Sequence, residues 1–343
     1  MIGRVVGKYK ILEQIGEGGM GVVYRAEHTV LGSPAAVKVL LPQFTRDSVV
    51  VDRFFTEAKA TSTLNHPGIV QVFDYGRLAN DQAFIAMELL RGEDLTSFLG
   101  RQRIDPAVVV QIGMQLLSAL EKAHVMGVIH RDIKPDNIYL VRDPMAPGAI
   151  RIKILDFGIA KLMGDRGASK QKTKGGAILG TPAYMAPEQC KGGVEIDARA
   201  DLYAVGCILF ELLTSRAPFV AEGDGELMAK HIYEQPPRLR DLAPQLPPEL
   251  DTLIAKMLAK APAERVPSAA SALAALERVP LDVITGEVPL LGTRAIASSS
   301  KANIETVSLD DFRHEPIPKW IPIAVIVGAL VLASIAVVVI GFL

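Results

Sequence analysis

The sequence predicts an α+β fold: a small β-rich N-terminal part, a larger helical part, and a single C-terminal transmembrane helix. Three observations predict it. Up to Met87, short runs of alternating or β-branched residues are separated by glycine- and turn-rich stretches. Beyond Asp105, apolar residues recur at helical spacing instead. From Ile321 to Leu343 no residue is charged, and as a helix this stretch is about 34 Å long against a hydrocarbon core of roughly 30 Å.

Composition narrows the function classes. The 343 residues suffice for about two compact units. Lys+Arg total 37 against Asp+Glu 38, a net charge of −1, so no global field draws nucleic acid, which is excluded as a main partner. Cys190 and Cys207 lack metal-ligand spacing and read as free thiols in a reducing compartment. Met1 to Lys10 contains neither a long apolar run nor a cleavage site, so no signal peptide is expected and the folded part is placed in the cytoplasm. Together with the apolar end, this predicts a single-pass protein of the inner (cytoplasmic) membrane. Lys319 and Trp320 sit at the edge of the span as interfacial anchors, with Arg313 and His314 on the same side. Ala324/Gly328 and Ala329/Ala333 have the small-xxx-small spacing by which spans pair, a weak pointer to a homodimer.

Tyr9 to Ile15 reads as a strand, Gly16-Glu17-Gly18-Gly19-Met20-Gly21 as a turn, and Val22 to Glu27 as a second strand. Alone, G-x-G-x-x-G is a weak signal. A dinucleotide-binding unit would need a helix after the glycines, whereas here a β-branched strand follows. A hairpin with a bare tip instead lets backbone amides close over phosphate oxygens. Ala36 to Leu40 makes a third strand with a lone Lys38. A helix capped by Asp47-Ser48 runs through Val51, Phe54, Phe55, Ala58 and Leu64 and carries Glu57, which on its own would pair with Arg53 at i−4.

Val70 to Tyr75 and Ala83 to Met87 are strands around the turn-rich Gly76 to Gln82, and Glu88 to Asp94 comes next. Asp105-Pro106 caps a helix with Val109, Ile112, Leu116, Leu117, Leu120 and Ala123 on one face, ending at Gly127. That helix feeds the polar stretch His130-Arg131-Asp132-Ile133-Lys134-Pro135-Asp136-Asn137, between the apolar runs Val125–Ile129 and Ile138–Val141. Asp132 offers a carboxylate, Lys134 a cation, and Asn137 and Asp156 two further oxygen ligands. The set suits one hydroxyl, a phosphoryl group and Mg²⁺.

His130 to Asn137, read with Asp156-Phe157-Gly158, resembles the catalytic loop and Asp-Phe-Gly motif of the eukaryotic-type (Hanks-type) protein kinases, in their bacterial serine/threonine form. The resemblance implies a two-lobed kinase fold over residues 9–277, with an N-lobe at about 9–87 and a C-lobe at about 92–277. It implies ATP and Mg²⁺, with Mn²⁺ as the alternative ion, and protein substrates with Ser/Thr acceptors. On this pattern Asp132 orients the hydroxyl and takes its proton, Lys134 offsets charge on the moving phosphoryl group, and Asn137 and Asp156 hold metal. His130 and Phe157 are packing residues. The nucleotide would lie under Ile15, Gly16, Glu17, Gly18, Gly19, Met20, Gly21, Val22 and Val23, beside Ala36 and Lys38, with Glu57 as the Lys38 partner. Met87 would guard the rear pocket, Glu88 and Leu90 would offer backbone groups to adenine, and Asp94 would bind ribose.

Lys134, together with Gly180-Thr181 before Ala186-Pro187-Glu188, resembles the serine/threonine-directed kinases. Asp201 is expected to brace the catalytic loop and Arg265 to pair with Glu188. By the same resemblance Arg131 receives a phosphate on the activation segment; autophosphorylation is expected at Thr173, with Ser169 second, while Thr181 contacts Asp132 and Lys134. Two departures stand out: Tyr139 lies where the family has Leu or Met beneath adenine, and Arg142 to Ile150 is a lengthened turn. Residues 278–319 read as a flexible juxtamembrane linker with a reach of roughly 35 Å, and 321–343 as the span. The alternative is a membrane-tethered pseudokinase scaffold; the presence of Lys38, Asp132 and Asp156 argues against it.

Overall fold

The computed structural model describes residues 1–99, 104–157, 182–192 and 196–280. Six strands form the first sheet: β1 (Val5–Val6), β2 (Tyr9–Glu17), β3 (Gly21–His28), β4 (Pro34–Leu40), β5 (Val72–Arg77) and β6 (Ala83–Met87), in the order β1-β2-β3-β4-β6-β5. All of its pairings are antiparallel. Strand alternation sorts the side chains. Val37 and Val39 enter a cluster with Tyr9, Ile11, Ala26 and Phe84, and Leu40 enters the opposite one. Lys38, two residues before Leu40, therefore shares the face that α1 (Ser48–Ser62) covers with Val51, Phe54 and Ala58. Asp47 caps α1 by accepting from the N–H groups of Val49 (3.0 Å) and Val50 (3.2 Å).

The helical lobe is built on α3 (Pro106–Val125), which begins at the Asp105 cap and stops at Gly127, where φ is +74°. Before it come β7 (Gly92–Asp94) and α2 (Leu95–Leu99); after it come β8 (Ile138–Arg142) and β9 (Ile150–Ile154), giving a second sheet ordered β7-β8-β9. The remaining helices are α4 (Pro187–Lys191), α5 (Arg199–Thr214), α6 (Asp224–Tyr233), α7 (Leu239–Leu242), α8 (Pro248–Met257) and α9 (Ala269–Leu276). A Cβ on Gly113 of α3 would lie 2.9 Å from terminal methyls of both Leu209 and Leu276, so α3, α5 and α9 meet closely enough that a larger residue would displace those side chains. The lobes are stitched by backbone: Val70 N–H donates to the Ile154 carbonyl (3.0 Å), and Ile154 N–H to that of Gly68 (2.8 Å).

Several expected boundaries move. The packed domain starts before residue 9, because β1 pairs with β2 and Gly3 N–H donates to the Ile11 carbonyl at 2.9 Å. A strand of two residues is too short for alternation to mark it. The domain also runs past 277, since Val279 is 4% exposed within the main core. β5 begins at Val72 rather than Val70, whose N–H is already committed to Ile154. The lengthened turn is as expected: it joins β8 to β9 and is held by an Arg151–Asp143 ion pair. Among the described residues no helix is long and apolar enough to cross a membrane, and the expected span at 321–343 and most of the 278–319 linker lie outside them.

Candidate active site

The polar stretch at 130–137 is held open by one buried carboxylate. Asp201, at the start of α5 and 1% exposed, accepts from His130 N–H (2.9 Å), Arg131 N–H (2.7 Å) and His124 Nε2 (2.8 Å). These bonds support Arg131 in a left-handed conformation, φ +64°, which a non-glycine residue keeps only when its surroundings hold it. Gln189 Nε2 donates to the Arg131 carbonyl (2.8 Å) and fastens the loop from the α4 side. His130 and Phe157 are fully buried with rings 4.7 Å apart, so both are packing residues as expected.

On this frame Asp132, Lys134 and Asn137 converge. Lys134 Nζ lies 3.6 Å from Asp132 Oδ2, and Asn137 Nδ2 donates to the Asp132 carbonyl (2.9 Å) and to Oδ2 (3.4 Å). Asn137 Oδ1 has no partner among the described residues, which leaves free the hard oxygen a divalent cation takes. Across the cleft, Lys38 Nζ donates to Asp156 Oδ2 at 2.7 Å, and Asp156 sits at φ +42°, a second left-handed non-glycine residue. Five groups from three stretches of the chain thus come together.

The expected Lys38–Glu57 ion pair does not form; Lys38 pairs with Asp156 instead. Burial opposes the Lys38 charge, but Asp156 and then Glu57 outweigh it and hold the ammonium above its ordinary value. Glu57, with Asp156 claiming the cation, is pushed up to about 8, by burial first and by the Asp156 charge second, with Lys38 only partly offsetting them. Two carboxyls compete for one cation, and the one nearer the loop holds it.

The rest of the expected nucleotide site lies on β2, β3, β4 and β6, on the connection after β6, and on β7 and β8. A Cβ on Gly21 would stand 2.8 Å from the Val39 carbonyl, so the β3–β4 approach demands glycine there. At Gly19 nothing lies within 4 Å, and at Gly18 only the Gly21 carbonyl, at 4.0 Å. The fold therefore does not require those two glycines, and a ligand's close approach would. The turn is closed by Gly18 N–H donating to Gly21 O (2.9 Å). Ile15 (48%) and Met20 (37%) present apolar side chains to solvent, Gly16, Val22 and Val23 are half-buried, and Glu17 is exposed. Ala36 is the cross-strand neighbour of Met87. In the connection between lobes, Glu88 N–H is committed to the Gln71 carbonyl (2.9 Å), so its carbonyl is the group it can offer; Leu90 is half-buried beside it.

Tyr139 on β8 stands between Asp94 and Lys153 in register, on the face opposite the buried Ile138 and Leu140. Lys153 reaches Glu88 (2.6 Å) and so ties the connection between the lobes to this cross-strand row. The Asp94 carboxylate accepts from Ser97 N–H (2.7 Å) and Oγ (2.8 Å), which makes it a cap for α2 before it is anything else. Among the described residues no cluster of three or more His, Cys, Asp and Glu could hold a metal. The Asn137–Asp156 oxygen pair fits Mg²⁺, which takes one or two protein ligands and completes its shell with phosphate and water. Ser169, Thr173, Thr181 and Gly158 lie outside the described residues.

Residues 9–276 match the family model described as protein kinase domain. The chain belongs to that family. It is 42% identical over 275 residues to the serine/threonine-protein kinase Pkn3 of Myxococcus xanthus, covering 79% of this chain and 50% of that one. It is 36% identical over 334 residues to the serine/threonine-protein kinase PknH of Mycobacterium bovis, covering 94% and 54%. The chain spans about half the length of these curated relatives. The crystal structure of the Mycobacterium tuberculosis PknI kinase domain superposes with a TM-score of 0.62 at 29% identity, covering 81% of this chain and 98% of that one.

In this kinase domain the expected supports form as the family pattern implied: Arg265 Nη1 and Nη2 each donate to Glu188 at 2.7 Å, buried, and Asp201 braces the loop. Sequence reasoning missed three parts of the kinase site. His124, the last but one residue of α3, donates to Asp201; Tyr184 Oη donates to Glu211 (2.6 Å) and pins the turn Pro182–Tyr184 to α5; and Lys153 anchors Glu88. Their separations of 77, 27 and 65 residues obey no local spacing rule.

Proposed function

We propose that the chain is a membrane-anchored serine/threonine protein kinase that moves the γ-phosphoryl group of ATP to Ser and Thr hydroxyls of proteins. The convergence of Asp132, Lys134 and Asn137 on one braced loop with Lys38 and Asp156 across the cleft carries the reading. Phosphoryl transfer spreads negative charge over oxygens, so positioning and neutralisation do most of the work. Asp132 orients the acceptor hydroxyl and takes its proton. Lys134, beside it, offsets charge on the phosphoryl oxygens, and Lys38 steadies the triphosphate. Asn137 and Asp156 would hold Mg²⁺ or Mn²⁺, which when bound neutralises phosphate charge. Ser/Thr selectivity is supported by Lys134 and by the names of the relatives.

In this reading the kinase is switched on by autophosphorylation at Thr173, with Ser169 second, the phosphate being met by Arg131. The uncharged stretch 321–343 anchors the chain in the cytoplasmic membrane with the kinase domain on the cytoplasmic side. The test uses the full chain in lipid with labelled ATP and a generic protein acceptor, beside Asp132→Asn. Transfer should fall by about 10²–10⁴-fold in the variant, the contribution of a positioned base. Absence of transfer by the unaltered chain with either Mg²⁺ or Mn²⁺ would overturn the reading. Phosphopeptide mapping of active enzyme that finds Thr173 and Ser169 unmodified removes the activation step, and alkaline carbonate extraction that frees the full chain from vesicles removes the anchor.

A further inference from the structure

Between α8 and α9 lies an open groove of about 440 Å³, a size within the 300–1,000 Å³ of sites that hold apolar ligands. Leu253, Val266 and Ala275 line it, and Lys256 and Arg278 stand exposed at its rim with Glu249. Among the described residues neither cation makes an ion pair. The chain leaves α9 at the groove: Arg278 is part of its lining, Val279 is buried with its N–H donating to the Leu276 carbonyl (3.2 Å), and Pro280 is the next residue.

The sequence beyond Pro280 is not the polar run a solvated tether needs. Residues 281–291 contain Leu281, Val283, Ile284, Val288, Leu290 and Leu291, and their two charges, Asp282 and Glu287, are both acidic. We propose that this groove is the seat of residues 281–291 of the same chain, with apolar side chains in the channel and the two acids toward Lys256 and Arg278. Reach and concentration favour it. At about 3.3–3.6 Å per extended residue, a few residues beyond Val279 span the groove, and a tether this short keeps the segment at millimolar effective concentration. The docked segment staples α8 to α9, the helix that packs on α3.

Disulfide trapping in the full chain, carrying Cys190→Ser, tests the proposal. Thr252→Cys on α8 is combined in turn with Val283→Cys, Val288→Cys and Leu290→Cys, and with Ser300→Cys as the distant reference. At least one near position should cross-link within a single chain about ten times faster than Ser300→Cys. Equal rates at all four positions, or a cross-link found only between two chains, overturn it. A second arm places Val288→Asp with Leu290→Asp, outside the packed domain. Amide exchange across α8 and α9 should then rise about tenfold while the rest of the domain is unchanged; unaltered exchange there also overturns the proposal.

Discussion

Glu57 should give up a proton when nucleotide binds. Its carboxyl is pushed up to about 8, by burial first and the Asp156 charge second, so at pH 7 about nine-tenths of nucleotide-free molecules carry the proton. The proposed reaction takes Asp156 for the metal. That releases the Lys38 ammonium, now 2.7 Å from Asp156, to the remaining carboxyl. With the anion removed and the cation gained, Glu57 returns toward the ordinary carboxylate range and ionises. Calorimetric titration with a non-hydrolysable ATP analogue and Mg²⁺, run in two buffers of different ionisation enthalpy, counts the protons. About 0.9 should be released per site at pH 7 and about half at pH 8. Affinity should climb as pH rises from 6 toward 8, by up to about tenfold or 1.4 kcal/mol per pH unit. Glu57→Gln serves as the blank for protons from the analogue itself and should remove both effects. Equal proton release by the two proteins, or heat independent of buffer, refutes the exchange of partners at Lys38.

The same carboxyl fixes the sign of a stability effect. Its folded value lies above its unfolded one, so the contribution of Glu57 to the nucleotide-free fold is complete below about pH 4.5 and is lost as pH rises through 8. Because the side chain is partly exposed, the change is a few kcal/mol at most, and Glu57→Gln should flatten it in urea titrations. His231 behaves oppositely. Burial first and Lys260 second push it down to about 4, so its contribution is present above about pH 6.5 and fades as pH falls toward 4, by about 3 kcal/mol at most; His231→Phe should blunt that loss in the same titrations. Arg265→Met strands the buried Glu188 and should cost about 3–5 kcal/mol. Adding Glu188→Leu should recover only part of that, because Arg265 also donates to the carbonyls of Ala259, Arg199 and Lys260. Gly21→Ala drives a methyl against the Val39 carbonyl and should cost about 1–3 kcal/mol by thermal melting.

That Asp132, Lys134, Asn137, Lys38 and Asp156 come together was legible in the sequence; which of them touch was not, and the difference is physical. Asp132, Lys134 and Asn137 lie on one short loop, so their meeting is a local matter. α1 and α3 were legible for the same reason, since a cap and an apolar period are written within a few residues. Lys38 and Asp156 are 118 positions apart, and Arg265 and Glu188 are 77 apart. The second pair was read correctly from the family resemblance, and in the fold the guanidinium and carboxylate are buried together. The first was misread because Lys38 has two suitors, Glu57 and Asp156, and residue type cannot say which is closer. The choice is electrostatic. Asp156 is the stronger anion of the two: burial works against its charge, Lys38 more than offsets that and holds it below its ordinary value, and Glu57 is pushed up at its side. Burial and charges from three separate stretches of the chain decide the partner of Lys38, and no local spacing writes that balance.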